Sequence, residues 1–250
     1  MNQSNVQGKV AVITGGSSGM GKATAIEMVK RGGSVVINGR REHELAEAAR
    51  EIDPSGAHVA YVAGDISDPQ TADRLIAETL SRFGRIDTLV NNAGIFVSKP
   101  FTEYTVEDFN AVLSTNVGGF FHLTQRAVTE MLKAGKGHII NITASGASDQ
   151  PIKAVPALLA ALTKGGLGNA TKSLAIEYAD KGIRVNAVAP GVIKTPMHPS
   201  EYHDFLNGLH PIGRMGEAQE IVDAILYLDS APFVTGEILH VDGGQNAGQW

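Results

Sequence analysis

Seven short runs rich in β-branched and other apolar residues recur along the chain, and a stretch with helical periodicity follows most of them. This alternation predicts a parallel sheet wound by crossover helices, because two adjacent parallel strands cannot be joined by a tight turn. We therefore predict an α/β fold with a doubly wound parallel sheet of about seven strands and helices on both faces. The strands are predicted at Lys9–Thr14, Ser34–Asn38, His58–Ala63, Thr88–Asn91, His138–Ile142, Arg184–Ala189 and Ile238–Val241.

Capping signals predict where several of the helices begin. Asp68 is followed by Pro69 at the first helical position, and Thr105 is followed by Asp108 three residues later. A third helix is predicted after Gly216-Glu217, where the apolar-periodic segment Ile221–Leu228 follows. No segment rich in Pro, Gly or Ser divides the chain, so we predict a single domain over residues 1–250.

Two irregular segments, Ser145–Pro156 and Thr195–Gly216, each follow a predicted strand. Ligands of open α/β sheets bind beyond the carboxyl ends of the strands. We therefore expect these two segments to wall a binding site.

Composition excludes several classes of function. The absence of Cys excludes a disulfide scaffold, a Cys-ligated metal site and a thiolate nucleophile. A net charge of −5 argues against a nucleic-acid partner, and no apolar run approaches the ~20 residues that span a bilayer. Since the N-terminus also lacks the pattern of a signal peptide, we expect a soluble, cytoplasmic protein without a membrane partner. The spacing of His198, His203 and His210 does not suit metal ligation, so no metal is expected.

A glycine-rich turn joins the first predicted strand to the first helix. The segment Thr14-Gly15-Gly16-Ser17-Ser18-Gly19-Met20-Gly21 opens directly into the helix Lys22–Arg31. Glycines let a backbone approach a pyrophosphate, whose charge is met by the unpaired amides and the positive dipole at the helix start. A purely structural turn needs glycine for the same steric reason, but the strand–turn–helix context favours a cofactor.

The G-x-x-x-G-x-G spacing of this turn resembles that of the short-chain dehydrogenase/reductase family. Asn116 matches the Asn of that family on the long helix after Thr105. Further segments carry the resemblance in the family's order: Gly64-Asp65-Ile66, Asn91-Asn92-Ala93-Gly94, Pro190-Gly191-Val192-Ile193-Lys194-Thr195 and Val241-Asp242-Gly243-Gly244. The resemblance implies a Rossmann-type fold and an oxidoreductase that binds a nicotinamide cofactor. The residues it assigns to the cofactor are Gly15, Ser17, Ser18, Gly19, Met20, Gly21, Asp65, Ile66, Asn92, Ala93, Gly94, Lys164, Pro190, Gly191, Ile193 and Thr195.

The tip of the second strand favours NADP(H) over NAD(H). Gly39 stands where NAD-selective relatives carry an Asp, and Arg40 and Arg41 follow it. An acidic residue would repel the 2′-phosphate of NADP, whereas a guanidinium can hold it by two parallel hydrogen bonds. The alternative is that both arginines are solvated charges at the start of the helix Glu42–Arg50.

The family's reaction centre is incomplete in this chain. Lys164 matches the Lys of the Tyr-x-x-x-Lys motif, but Ala160 stands at the Tyr position, so the phenol that gives a proton to the substrate oxygen in the family is missing. Alignment with the family's serine gives Ala144, flanked by Thr143 and Ser145; we prefer Ser145, although both hydroxyls could be ordinary turn groups. The expected catalytic residues are Lys164, Asn116 and Ser145.

The segment that resembles the family's substrate lid offers other proton donors. It contains His198, Glu201, Tyr202, His203, Asp204 and His210. A His or a Tyr of this segment could replace the phenol if the lid closes on the substrate. The alternative is a solvated lid face without a chemical role.

We therefore expect an NADP(H)-dependent oxidoreductase acting on a small carbonyl or alcohol substrate, with an atypical active site. Two alternatives stay open: a weak or inactive NADP-binding sensor or regulatory protein, and a non-redox proton-transfer enzyme on the same fold. The resemblance also implies a homotetramer.

Overall fold

The computed structural model describes residues 6–248, apart from the side chains of residues 147 and 148. Its seven strands form one parallel sheet in the order β3-β2-β1-β4-β5-β6-β7, which confirms the predicted doubly wound α/β fold. All seven predicted strands are present, and none of their ends differs from the prediction by more than one residue. The strands are β1 Val10–Thr14, β2 Ser34–Gly39, β3 Val59–Ala63, β4 Thr88–Asn91, β5 Gly137–Ile142, β6 Ile183–Pro190 and β7 Ile238–Val241.

Helices cover both faces of the sheet. α1, α2 and α9 pack on one face, and α3, α5 and α7 pack on the other. Adjacent strand residues alternate between the two apolar layers, so Ile13 of β1 lies in the first layer and Val12 in the second. The helices are α1 Gly19–Lys30, α2 Glu42–Ile52, α3 Pro69–Phe83, α4 Val106–Leu113, α5 Gly119–Ala134, α6 Ser145–Ser148, α7 Leu158–Tyr178, α8 His203–Asn207 and α9 Ala218–Ser230. None of the helices between residues 6 and 248 combines the length and the hydropathy that a membrane span requires.

The predicted caps begin the helices as expected. Asp68 accepts a hydrogen bond from the backbone amide of Gln70, with Pro69 as the first residue of α3. Thr105 and Asp108 form a reciprocal capping box at the start of α4. Glu217 caps α9.

The long helix expected after Thr105 is interrupted. Between α4 and α5 the backbone makes a π-helical turn, Ser114–Gly118, and Asn116 lies at its centre with a buried side chain. A π turn rotates the following residues about the helix axis and is frequent at functional sites. The two segments predicted to be irregular contain the short helices α6 and α8, respectively.

A buried polar cluster crosses the sheet at the amino ends of the strands, opposite the glycine-rich turn. The Asp229 carboxylate accepts hydrogen bonds from Lys9 Nζ at 2.7 Å and from Thr88 Oγ1 at 2.8 Å. His138 is buried between this carboxylate and Asn186, whose Nδ2 donates to His138 Nε2 at 3.0 Å. The buried carboxylate of Asp229, on α9, is therefore connected to Lys9 just before β1 and to β4, β5 and β6.

Candidate functional site

The glycine-rich turn is built for close backbone approach. Gly15 has φ of +65°, which side-chain-bearing residues rarely adopt, and a Cβ added to Gly21 would lie 2.3 Å from the Gly15 carbonyl oxygen. The carboxamide of Asn92 donates to the carbonyl oxygens of Thr14 at 2.8 Å and of Gly15 at 3.2 Å. Asn92 therefore holds the turn from its inner side.

The start of α1 fits a pyrophosphate. Ser18, the N-cap, forms no side-chain bond to the helix amides, and no acidic residue lies in the first turn. The first amides of a helix have no intrahelical acceptor, and together with the helix dipole they favour an anion. A phosphate group would supply hydrogen-bond acceptors for these backbone amides, which no side chain of the first turn provides.

Two further segments border this turn. A Cβ on Gly19 would contact Thr195 Cγ2 at 3.2 Å, and a Cβ on Gly39 would contact Ser17 Oγ at 3.3 Å. The turn therefore lies between the tip of β2 and the start of the segment after β6. The structure therefore brings three predicted cofactor residues, Ser17, Gly19 and Thr195, close to one another around this turn.

The two arginines after β2 differ in their surroundings. Arg41 forms an ion pair with Glu44 at 2.6 Å. Arg40 is exposed, and no hydrogen bond or ion pair joins it to the residues that the structure describes. Arg40 is therefore the freer of the two guanidinium groups to take an external anion.

The segment after β3 makes its own tight turn. Asp65 Oδ1 accepts from the amide and the hydroxyl of Ser67 at 2.9 and 2.8 Å. Asp65 is exposed, whereas its neighbour Ile66 is buried and packs against Gly119. Only Asp65 of the pair offers a polar side chain to the cleft.

The segment after β4 is anchored to β1. Thr14 Oγ1 accepts from the amides of Asn92 at 3.0 Å and of Ala93 at 2.9 Å. Gly94 then passes close to the predicted reaction centre, because a Cβ there would lie 3.1 Å from Lys164 Nζ and 3.2 Å from Asn116 Oδ1. A side chain at position 94 would therefore crowd these two polar groups.

Lys164 and Asn116 are held by the protein on either side of Gly94. Lys164 Nζ donates to the Ile142 carbonyl oxygen at 2.7 Å, and burial lowers the pKa of Lys164 to about 8. Asn116 Nδ2 donates to the Ile95 carbonyl oxygen and to Thr163 Oγ1, both at 3.1 Å, while Asn116 Oδ1 accepts from the Ile95 amide. Thr163, which the sequence prediction did not include, therefore connects Asn116 to α7, one residue before Lys164.

Position 160 lies one helical turn before Lys164, and only 2% of Ala160 is exposed. The segment leading into α7 is tied down, since the Pro156 carbonyl oxygen accepts from Ser98 Oγ at 2.9 Å and from the Lys99 amide at 3.1 Å. A buried methyl group at this position can neither donate a proton nor stabilise an oxyanion.

The two candidate serine substitutes both have partners inside the protein. Ser145 is fully buried, and its hydroxyl donates to the Asp242 carboxylate, which also accepts from the amides of Gly244 and Asn246. Thr143 donates to the Val188 carbonyl oxygen at 3.2 Å. The structure thus gives Ser145 the role of holding the turn after β7, and its catalytic role stays a prediction.

One residue of the predicted lid, His210, has both ring nitrogens bonded within the protein. His210 Nε2 accepts from the Val192 amide at 2.9 Å, and its Nδ1 donates to the Leu206 carbonyl oxygen at 3.1 Å. Because Nε2 accepts a hydrogen bond, the ring is neutral, and burial favours this form by lowering the pKa of His210. To donate a proton to a substrate, His210 would have to give up its bond to the Leu206 carbonyl oxygen, so its role as a donor stays a prediction. His210 holds the lid close to the backbone after β6, since a Cβ on Gly191 would lie 2.7 Å from His210 Nε2.

The other lid residues remain closer to solvent. His203 Nε2 lies 3.0 Å from the His198 carbonyl oxygen, and 57% of Tyr202 is exposed. Burial lowers the pKa of His198, with a smaller contribution from His203. Across the part of the chain that the structure describes, no three His, Asp or Glu side chains are grouped to hold a metal ion.

Comparison with known proteins agrees with this geometry. A family model described as enoyl-(acyl carrier protein) reductase matches residues 15–246. An uncharacterized oxidoreductase of Thermotoga maritima is 38% identical over 255 residues, covering 97% of this chain and 99% of its own length. A short-chain dehydrogenase/reductase mutant from Serratia marcescens superposes with a TM-score of 0.89 at 32% identity, covering 97% of this chain and 99% of that one.

Two other solved relatives were determined with cofactors. ElxO with NADP bound has a TM-score of 0.87 and 33% identity, and it covers 96% of this chain and 99% of its own. The 3-ketoacyl-(acyl-carrier-protein) reductase of Brucella melitensis, complexed with NADH, has a TM-score of 0.89 and 32% identity with the same coverage. Relatives of this chain therefore bind nicotinamide cofactors of both types. The chain belongs to the short-chain dehydrogenase/reductase family of oxidoreductases.

Proposed function

We propose that the protein is an NADP(H)-dependent oxidoreductase acting on a small carbonyl or alcohol substrate, with Ala160 in place of the phenol of its relatives. The observation that carries the proposal is the glycine-rich turn with an uncapped, acid-free helix start, beside an unpaired Arg40. The turn supports a pyrophosphate, and the guanidinium supports a 2′-phosphate.

The bound nicotinamide would supply or accept a hydride. Arg40 would bind the 2′-phosphate, and the α1 amides would bind the pyrophosphate. The Lys164 ammonium has three N–H donors and uses one in its hydrogen bond to the Ile142 carbonyl oxygen. The other two can donate to ribose hydroxyls. Asn116 and Thr163 keep the π turn and α7 in register, which positions Lys164.

Proton delivery is the weak part of this site. General acid–base assistance is worth ~10²–10⁴ in rate, and Ala160 provides none. His198, Tyr202 and His203 of the lid are the remaining candidate donors. We therefore expect slow carbonyl reduction unless the lid supplies an acid.

A second candidate function is non-redox proton transfer by Lys164. It is favoured by one observation, the pKa of about 8 that burial gives this amine, which lets it exchange protons near neutral pH. A third hypothesis for the same site is an NADP-binding sensor that catalyses no reaction.

The test is the preference for NADPH over NADH, measured by fluorescence titration of the parent, Arg40→Ala and Arg41→Ala. Hydrogen bonds to charged groups contribute ~1.5–3 kcal/mol, so NADPH should bind about 10- to 100-fold more tightly than NADH. Arg40→Ala should remove most of that preference, whereas Arg41→Ala, the matched control, should keep it. Equal affinities in the parent would refute the assignment of NADP.

The proposal includes a homotetramer and a cytoplasmic location, both carried over from the sequence predictions. Large apolar side chains on α4, α5 and α7 support the assembly. Among them, Phe109 is 43% exposed, Phe121 54%, Leu162 56% and Ile176 84%. Exposed aromatic and aliphatic side chains of this size are enriched at protein–protein interfaces.

A further inference from the structure

A polar cavity of about 230 Å³ lies between α7 and β7. Its polar lining comes from Thr143 after β5, Asp149 after α6, and Lys164, Asn169 and Lys172 of α7, while Ile238 of β7 forms the opposite wall. We call it the α7–β7 cavity. None of Asn169, Lys172 and Ile238 belongs to the cofactor cleft described above.

The helix approaches the strand closely on this side because it carries small residues. Gly168 is buried, and a Cβ there would lie 3.2 Å from Ile238 Cδ1. Lys164, Gly168 and Lys172 follow each other at intervals of four residues, so they share one side of α7. The two lysines therefore lie at the two ends of the cavity, with glycine between them.

The charges around the cavity do not balance. Lys172 is exposed, and no hydrogen bond or ion pair joins it to any residue between 6 and 248. Lys164 donates to a carbonyl oxygen, and the burial that lowers its pKa is not opposed by a nearby carboxylate. The cavity's one carboxylate, Asp149, lies 3.3 Å from His240 Nε2. Two cations thus face one acid that already has a partner.

The size of the cavity limits what it can hold. One water occupies about 30 Å³ of liquid, so the cavity has room for about eight non-hydrogen atoms. The Cα atoms of Lys164 and Lys172 are about 12 Å apart along the helix, at a rise of ~1.5 Å per residue. Both lysines line this space.

We propose that the α7–β7 cavity binds a small carboxylate-bearing molecule, whose carboxylate lies on Lys172 and Asn169 and whose other polar end faces Thr143 and Lys164. If the proposed function is correct, this molecule is the substrate, an oxo or hydroxy acid. Only that identification rests on the proposed function, because binding itself requires no cofactor.

The experiment uses 4-oxopentanoate as probe and its methyl ester as the uncharged match. Both are titrated into the full chain without cofactor and followed by saturation-transfer NMR. The acid should bind at least about tenfold more tightly than the ester. Lys172→Met should weaken binding of the acid at least about fivefold and leave the ester unaffected, and Lys172→Arg should restore most of the loss.

Lys136→Met is the matched control, because it removes the same charge from an exposed position just before β5. It should leave both affinities unchanged. Equal binding of acid and ester, or an acid affinity that Lys172→Met does not alter, would overturn the inference.

NADPH binding, measured on the same samples, separates the two proposals. If NADPH binds but the acid does not, the cavity inference fails and the proposed function stands. If the acid binds through Lys172 but neither NADPH nor NADH binds, the site is supported and the proposed function fails.

Discussion

His138 should make the protein lose stability in mild acid. Burial lowers the pKa of His138 to about 4, with Arg184 acting in the same direction and Asp229 opposing. The contact between His138 Nδ1 and Asp229 Oδ1, at 3.5 Å, opposes the effect of burial on the pKa of His138 but does not outweigh it. The ring is therefore neutral in the folded protein at neutral pH, and it accepts from Asn186.

The direction and size of this change in the free energy of unfolding follow from the pKa of His138 in the folded and the unfolded states. An unfolded His has a pKa of about 6.5, so between pH 6.5 and 4 the unfolded chain binds a proton that the folded protein refuses. The free energy of unfolding is then fully retained above pH 6.5 and falls as the pH decreases toward 4. At ~1.36 kcal/mol per pH unit, the loss across this window is about 3 kcal/mol.

The Asp229 carboxyl acts at lower pH. Its burial favours the neutral form, but hydrogen bonds from His138 and Lys9 outweigh burial and hold the pKa of Asp229 below its usual range. The stability it provides is lost only below the unfolded pKa of about 3.9. The two effects therefore occur in separate pH windows.

The assay is urea unfolding of the parent and His138→Gln at pH 7.5 and pH 4.5. Gln keeps an acceptor for Asn186 and cannot be protonated, so the variant should lose about 2–3 kcal/mol less than the parent between these pH values. His43→Gln, at an exposed position of α2, is the surface control. A difference between parent and His138→Gln that does not change with pH would refute the reasoning.

Two more predictions concern Ser145 and the assembly. Ser145→Ala should lower the free energy of unfolding by about 2 kcal/mol, because it removes one hydrogen-bond donor from the buried carboxylate of Asp242. The affinity for NADPH should stay unchanged. A loss of activity without a loss of stability would instead make Ser145 catalytic. Light scattering should report a tetramer for the parent and smaller species for Phe121→Ser, whose side chain is 54% exposed on α5; a monomeric parent would reject the assembly.

The fold was predictable because its signals are local. Alternating strands and helices, the caps at Asp68 and Thr105 and the turn before α1 all depend on residues within a few positions of each other. A parallel sheet buried on both faces adds near-continuous apolar runs, which mark the strands clearly.

The site was less predictable because its contacts are long-range. Ser145 pairs with Asp242, 97 residues away, and His210 pairs with the Val192 amide across the lid. Neither partner could be identified from spacing alone. The π turn around Asn116 escapes prediction too, because helical periodicity continues through it. Arg40 has no ion-pair partner among the described residues because Glu44 pairs with Arg41 instead. The sequence alone does not show which of the two arginines Glu44 will pair with.

The central claim, that reduction is limited by the missing phenol at position 160, is tested most directly by NADPH-dependent reduction of activated ketones, aldehydes and diketones. The parent should show little or no turnover, and Ala160→Tyr should raise it at least about tenfold, despite ~1–3 kcal/mol of overpacking at this buried site. Ala161→Tyr, about 100° further round α7, is the control and should give no gain. Two results would contradict the claim. One is rapid turnover by the parent that is abolished by mutation of His198, Tyr202 or His203. The other is an Ala160→Tyr variant that binds NADPH normally but reduces no faster than the parent.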